Sequence, residues 1–202
     1  MPTLRIAQDA AADELLGRDP LALLIGMLLD QQFPMERAFA APRLLADRLG
    51  VDTLSAAQLA DADPDELQRL FQGPPALHRY PGSMAARTRD LARLLVDRYD
   101  GRAAAVWADV PDGATLLRRL GELPGFGAQK ARILLALLGK QYGVTPAGWR
   151  AAAGAYGEEG SRRSVADVTG PESLAEVRAT KQAAKQAAKD AKDAKAAGTA
   201  AG

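Results

Sequence analysis

Apolar residues recur along this chain at helical spacing and almost never alternate, which restricts the fold to one assembled from helices. Leu15 and Leu16, the runs Leu21 to Leu29, Phe39 to Leu49, Leu67 to Phe71, Leu91 to Val96 and Ile133 to Leu138, and the set Leu116, Leu117 and Leu120 all carry that pattern. No alternating run of β-branched residues stands beside them, so few strands are expected. Asp19-Pro20 and Asp63-Pro64-Asp65-Glu66 read as helix starts, with an Asp cap and a Pro in the first helical position. The 202 residues suffice for one medium domain or two small ones. Only 5% are aromatic, so the core must be largely aliphatic.

One break in the periodicity carries chemistry. Helical pattern runs from Ala114 to Gly121 and again from Ala128 to Lys140, a hairpin over 114–140, and between them lies Leu123-Pro124-Gly125-Phe126-Gly127. Gly tolerates positive φ and lets backbone approach a ligand closely. The turn opens directly into a helix, whose free N–H groups and dipole suit an anion such as phosphate. A plain helix-breaking turn is the alternative for such a sequence.

With Gln129, Lys130 and Ala131 added, this stretch resembles the hairpin of the helix-hairpin-helix (HhH-GPD) DNA glycosylase superfamily, which includes endonuclease III, MutY and the alkylpurine glycosylases. The family pattern is Leu-Pro-Gly-(Val/Ile/Phe)-Gly, three residues, then Ala, and six positions fit. The segment Leu23-Leu24-Ile25-Gly26-Met27-Leu28-Leu29-Asp30-Gln31-Gln32 is similar to the family's early core helix, where a Gln enters the DNA stack. The resemblance extends over about 19–177. It implies an all-α, two-lobed helix-hairpin-helix glycosylase-type fold whose lobes enclose a cleft, and a protein of base excision repair.

Site residues follow from the same resemblance. Gly125, Gly127 and Lys130 would grip phosphate, Phe126 would belong to the same DNA-binding turn, a monovalent cation would sit at the hairpin, Gln32 with its neighbour Gln31 would fill the gap in the stack, and Gln129 would line the pocket. On the residues alone, Gln31 and Gln32 also read as an ordinary polar helix end. Bifunctional members carry a Lys where this chain has Gln129, and a neutral amide cannot form a Schiff base. Lys130 is turned about 100° away on the helix, so it reads as a phosphate contact or a surface lysine. The family's acid would fall near Thr145 to Trp149, but no carboxylate occurs between Glu122 and Glu158. Asp30 is the replacement favoured by position, with Glu36 and Asp167 behind it. Read by itself, Asp30 is a helix-end carboxylate. The chain has no cysteine, which excludes a cysteine-ligated iron–sulfur cluster, a disulfide and thiol catalysis. No cofactor and no metal ligand set is expected.

The loop Leu77-His78-Arg79-Tyr80-Pro81-Gly82-Ser83-Met84 lies about where the family places its wedge into the opened base pair. His78 or Tyr80 would stack on a base and Arg79 would meet a phosphate. The alternative is a packed loop with Tyr80 in the core. Net charge is only +1, which argues against a generic DNA-coating protein. From Thr115 to Arg150, however, six basic residues face a single acid, Glu122, so positive charge should gather at the hairpin.

Residues 1–179 are read as one helical domain and 180–202 as an Ala/Lys-rich tail, either a fraying single helix or a disordered segment. Lys181, Lys185, Lys189 and Lys192 recur on one helical face, to contact phosphates or merely to solubilise. No signal peptide or membrane span is recognisable. The expectation is a cytoplasmic, nucleoid-associated monomer that binds double-stranded DNA. It is either a monofunctional N-glycosylase without lyase chemistry or a catalytically inactive binder of DNA lesions on the same fold.

Overall fold

The computed structural model describes residues 2–199, with side-chain surroundings through residue 192. Its centre is α2 (Pro20–Leu29), in which every residue from Leu21 to Leu29 is buried. A helix apolar on all sides can only be a core helix. It is wrapped by α1 (Ala10–Arg18), α3 (Met35–Leu49), α6 (Pro81–Tyr99) and a 3-10 turn at Ala103–Val106. α4 (Ala56–Asp61) and α5 (Pro64–Gln72) close the outside of α6. The caps form as the sequence predicts: the Asp19 carboxylate accepts the N–H of Leu21 at 2.9 Å, and that of Asp63 accepts the N–H of Asp65 at 3.0 Å.

A second lobe forms around the hairpin of α7 (Gly113–Gly121) and α8 (Ala128–Gln141). α9 (Trp149–Ala153) and the turn Val165–Asp167 pack on α8. The Asp167 carboxylate holds that turn, accepting from Lys140 at 2.6 Å and from the Arg163 and Ser164 N–H groups at 2.9 and 3.1 Å. α10 (Pro171–Thr199) then returns to the first lobe, buried at Leu174 and Val177 and tied by an Arg178–Glu36 ion pair. The fold is thus all-α and two-lobed, with the chain crossing between lobes twice. Among the described residues the only β pairing is an isolated bridge between Asp112 and Ala147, and no helix is long and apolar enough to cross a membrane.

No break marks 179–180: α10 is continuous, and what changes there is its surroundings, with Val177 buried and Lys181 to Lys192 exposed.

Candidate nucleic-acid interface

The two lobes meet at the C-terminal end of α2 and the N-terminal end of α8. Gly125, at φ +83°, makes that approach possible: a Cβ there would lie 2.4 Å from Leu28 Cδ1. Phe126 is buried beneath the turn, and its N–H donates to Leu123 O at 3.0 Å. Phe126 is therefore a packing residue of the hairpin and presents no face to a ligand. Gly127 differs from Gly125, being exposed at the N-cap of α8 with no atom within 4 Å of a built Cβ. No side chain caps this helix, and the N–H groups of Ala128, Gln129 and Lys130 make no hydrogen bond among the described residues. They open onto the empty space in front of Gly127, the arrangement that binds anions at helix N-termini.

Lys130 does not join them. Its ammonium turns inward and donates at 2.8 Å to both Met27 O and Leu28 O, two of the carbonyls that α2 leaves unpaired at its end. Neither a phosphate contact nor a surface lysine describes it, because docking of the lobes offers the side chain a helix C-terminus to cap. Burial lowers its pKa from 10.5 to about 8, with Asp30 opposing the shift and Arg87 adding to it.

Beside this junction lies a cavity of about 650 Å³. Its walls are the end of α2 and the following turn (Met27, Asp30, Gln31, Gln32, Phe33), the first turns of α8 (Gln129, Lys130, Ile133), then Ala155, Tyr156 and Arg163, and finally Thr180, Lys181 and Ala184 of α10. Asp30 is the only carboxylate among them. Burial raises its pKa above the ordinary carboxylate value, the ammonium groups of Lys181 and Lys130 pull it back, and Glu36 adds to the rise. The two weaker acid candidates lie outside the cavity wall, and each is engaged elsewhere: Asp167 with Lys140 and backbone N–H groups, Glu36 with Arg178.

The remaining candidates divide. Gln129 is exposed on the cavity wall and donates to the Tyr156 hydroxyl at 2.8 Å. Gln31 is anchored, with its amide donating to Leu28 O at 2.8 Å and its carbonyl accepting from Arg87 at 3.0 Å. Gln32 stands exposed with a left-handed backbone, φ 51°. Tyr80 is the largest exposed apolar group at 46%, with the Arg79 guanidinium 4.9 Å from its ring. His78, a candidate from the sequence for stacking on a base, is 1% exposed, so the loop is packed at His78 and open at Tyr80. Its Nδ1 accepts the Tyr80 N–H at 3.1 Å, so the neutral ring carries its proton on Nε2, 3.0 Å from Gln31 O. Its ring also sits 4.7 Å from that of Phe33. It braces the turn that carries Gln31 and Gln32, and no base can reach it.

The stretch at the family's acid position is far from the cavity. Ala147 bridges to Asp112 at the start of α7, and Trp149 packs on Gly139, where a Cβ would meet its ring at 2.4 Å. Gly139 is eleven residues along α8, about 16 Å from its first residue at 1.5 Å per residue. Trp149 and Phe126 are both buried, and neither lines the cavity. The returning chain delivers Tyr156 to the cavity in place of a carboxylate. Phe33, Tyr156 and Arg163 on the cavity wall and Arg87 beside Gln31 are residues that the sequence did not disclose, whereas Lys181 was legible as the first lysine of the α10 stripe. Of the undisclosed residues only Phe33, directly after the Gln pair, lay close to a recognised motif.

Most of the basic cluster at the hairpin already has a partner within the protein. Arg118 pairs with Glu122 at 2.8 Å, Arg119 donates to Ala108 O at 3.1 Å, and Arg150 donates to Gly157 O at 3.0 Å. Lys130 and Lys140 are engaged as described. Of the six, Arg132 alone is exposed without a hydrogen bond or ion pair among the described residues.

A family model described as HhH-GPD superfamily base excision DNA repair protein matches residues 25–195. The chain matches no curated protein and no solved structure.

Proposed function

Because the chain belongs to the HhH-GPD superfamily of base excision DNA repair proteins, we propose that it is a monofunctional DNA N-glycosylase acting on duplex DNA as a monomer in the cytoplasm. The observation that carries this reading is the open cavity of about 650 Å³ with Asp30 as its one carboxylate. That volume lies within the range of small-molecule sites, and a base must leave the stack to be cleaved. The open N–H groups at α8 would hold the phosphate beside the extruded nucleotide. Tyr80 and Gln32 would occupy the space it vacates. A monovalent cation, if bound, would take its oxygens from carbonyls of the 123–127 turn.

As the base departs with the C1′–N electron pair, positive charge develops on the sugar. Ionised Asp30 would stabilise that charge and accept a proton from the attacking water. The nearby Lys130 and Lys181 charges favour the ionised form. Single-turnover base release from a panel of damaged duplexes tests this. Wild type should release one class of base, with a rate that rises with pH through the elevated Asp30 titration, and Asp30→Asn should lose at least about 100-fold.

A second reading is favoured by one observation: the family's nucleophile and acid positions hold Gln129, bonded to Tyr156, and a segment around Ala147 remote from the cavity. On that reading the protein binds lesions without cleaving them. Tight lesion binding with no release from any substrate would establish it and end the glycosylase proposal.

A further inference from the structure

α10 is a wall of the cavity and then leaves the protein. Its first turns are anchored by Leu174 and Val177, and Thr180, Lys181 and Ala184 face the cavity. From residue 185 to 199 it runs on for about 22 Å at 1.5 Å per residue. This stretch has no apolar side chain larger than alanine, so no packing against protein or bilayer interior accounts for it. Alanine content alone suits it to be helical.

Lys181, Lys185, Lys189 and Lys192, spaced four, four and three residues apart, share one face. All four are exposed and form no ion pair or hydrogen bond among the described residues. Asp190 is engaged with Gln186 at 2.7 Å. The stripe starts at the cavity itself, since Lys181 is near enough to act on Asp30. Of the hairpin's own six cations, five already have hydrogen-bond or ion-pair partners within the protein, and Arg132 alone has none among the described residues.

We propose that α10 is a DNA clamp: Lys181 meets the backbone at the cavity mouth, and Lys185, Lys189 and Lys192 track phosphates of the flanking duplex. This rests on the DNA-directed reading above and names the surface that supplies most of the ionic affinity. A helix with a cationic stripe and no apolar side chain larger than alanine elsewhere lacks the apolar face that would seat it in a membrane interface.

The test uses the full chain and a variant with K185A, K189A and K192A together, which keeps the helix because alanine favours it; circular dichroism checks that it does. Affinity for a 25-base-pair duplex is measured by fluorescence anisotropy between 50 and 200 mM salt. Each phosphate contact contributes a slope of about 0.9 in log affinity against log salt, so the variant's slope should be shallower by about 2.7. Over that fourfold salt range wild type should then lose about 40-fold more affinity than the variant. An unchanged slope overturns the clamp while leaving DNA binding intact. If wild type binds no duplex even at 50 mM, the DNA reading and the clamp fail together. If the substitutions leave the DNA slope unchanged and abolish binding to phosphatidylserine vesicles, the stripe serves a membrane and the clamp is overturned.

Discussion

Gly125 and Gly127 sit two residues apart in one turn, and the structure gives them opposite tasks. Gly125→Ala places a Cβ at φ +83° and 2.4 Å from Leu28 Cδ1. A left-handed backbone costs a non-glycine residue about 1–2 kcal/mol, and forcing a methyl into a packed contact costs about 1–3 kcal/mol more. Leu28 is fully buried, so it has little room to yield. A loss of about 3 kcal/mol follows, which for a chain of this size corresponds to a fall in Tm of about 6–12 °C. Gly127→Ala meets no atom within 4 Å and keeps a negative φ of −72°. The weaker N-cap preference of alanine is offset by about 0.4–1 kcal/mol from the stiffer unfolded chain, so stability should hardly change. Its methyl would instead stand where a phosphate approaches the α8 amides, and duplex affinity should fall about tenfold or more, the equivalent of one good charge-assisted hydrogen bond. Urea denaturation and fluorescence anisotropy on both variants separate the two effects. If Gly125→Ala unfolds within about 0.5 kcal/mol of wild type, or Gly127→Ala binds duplex as wild type does, the division of labour is wrong.

Two further expectations concern titration. Burial lowers the His78 pKa below 6.5, so the unfolded chain takes up a proton that the native state refuses. Stability is fully present above pH 6.5 and falls as pH drops below it. His78→Gln should flatten that decline when urea midpoints are compared between pH 7 and pH 5. For Lys130 the window is higher. Its native pKa is about 8 against 10.5 unfolded, so between those values the unfolded state binds more protons and this residue's contribution to stability rises with pH. Relative to wild type, Lys130→Met should therefore lose stability progressively from pH 8 to pH 10 in the same assay; a pH-independent difference would refute the inward placement of the ammonium.

Local signals in the sequence are legible where local chemistry decides the structure. The hairpin helices, expected at Ala114–Gly121 and Ala128–Lys140, form at Gly113–Gly121 and Ala128–Gln141, since a Pro-Gly-Phe-Gly turn ends one helix and starts the next whatever surrounds it. The Asp-Pro caps behave likewise. Helical rotation also separated Lys130 from the direction of Gln129. What it could not supply is the object that Lys130 would meet, because α2's carbonyl end is about a hundred residues away in sequence and arrives only when the lobes dock. His78 and Tyr156 are similar cases: one is enclosed by Phe33 and the Gln31 carbonyl, the other is delivered by a return path that no pattern announces.

Charge is where sequence counting misleads most, and the reason is physical. Six basic residues against one acid between Thr115 and Arg150 suggest a cationic face at the hairpin, but a compact helical lobe has many orphan carbonyl ends, and long cationic side chains satisfy them. Arg119, Lys130 and Arg150 all end on backbone oxygens, while Lys140 neutralises the buried Asp167. The stretch of α10 from Lys181 to Lys192, exposed throughout, meets no such sinks among the described residues. Lys181, Lys185, Lys189 and Lys192 therefore remain without partners among the described residues, although the sequence alone reads 180–202 as a fraying helix or a disordered tail. For a helical protein, the cations available to a polyanion are thus found on the elements with the fewest neighbours, which here means the helix that also walls the Asp30 cavity.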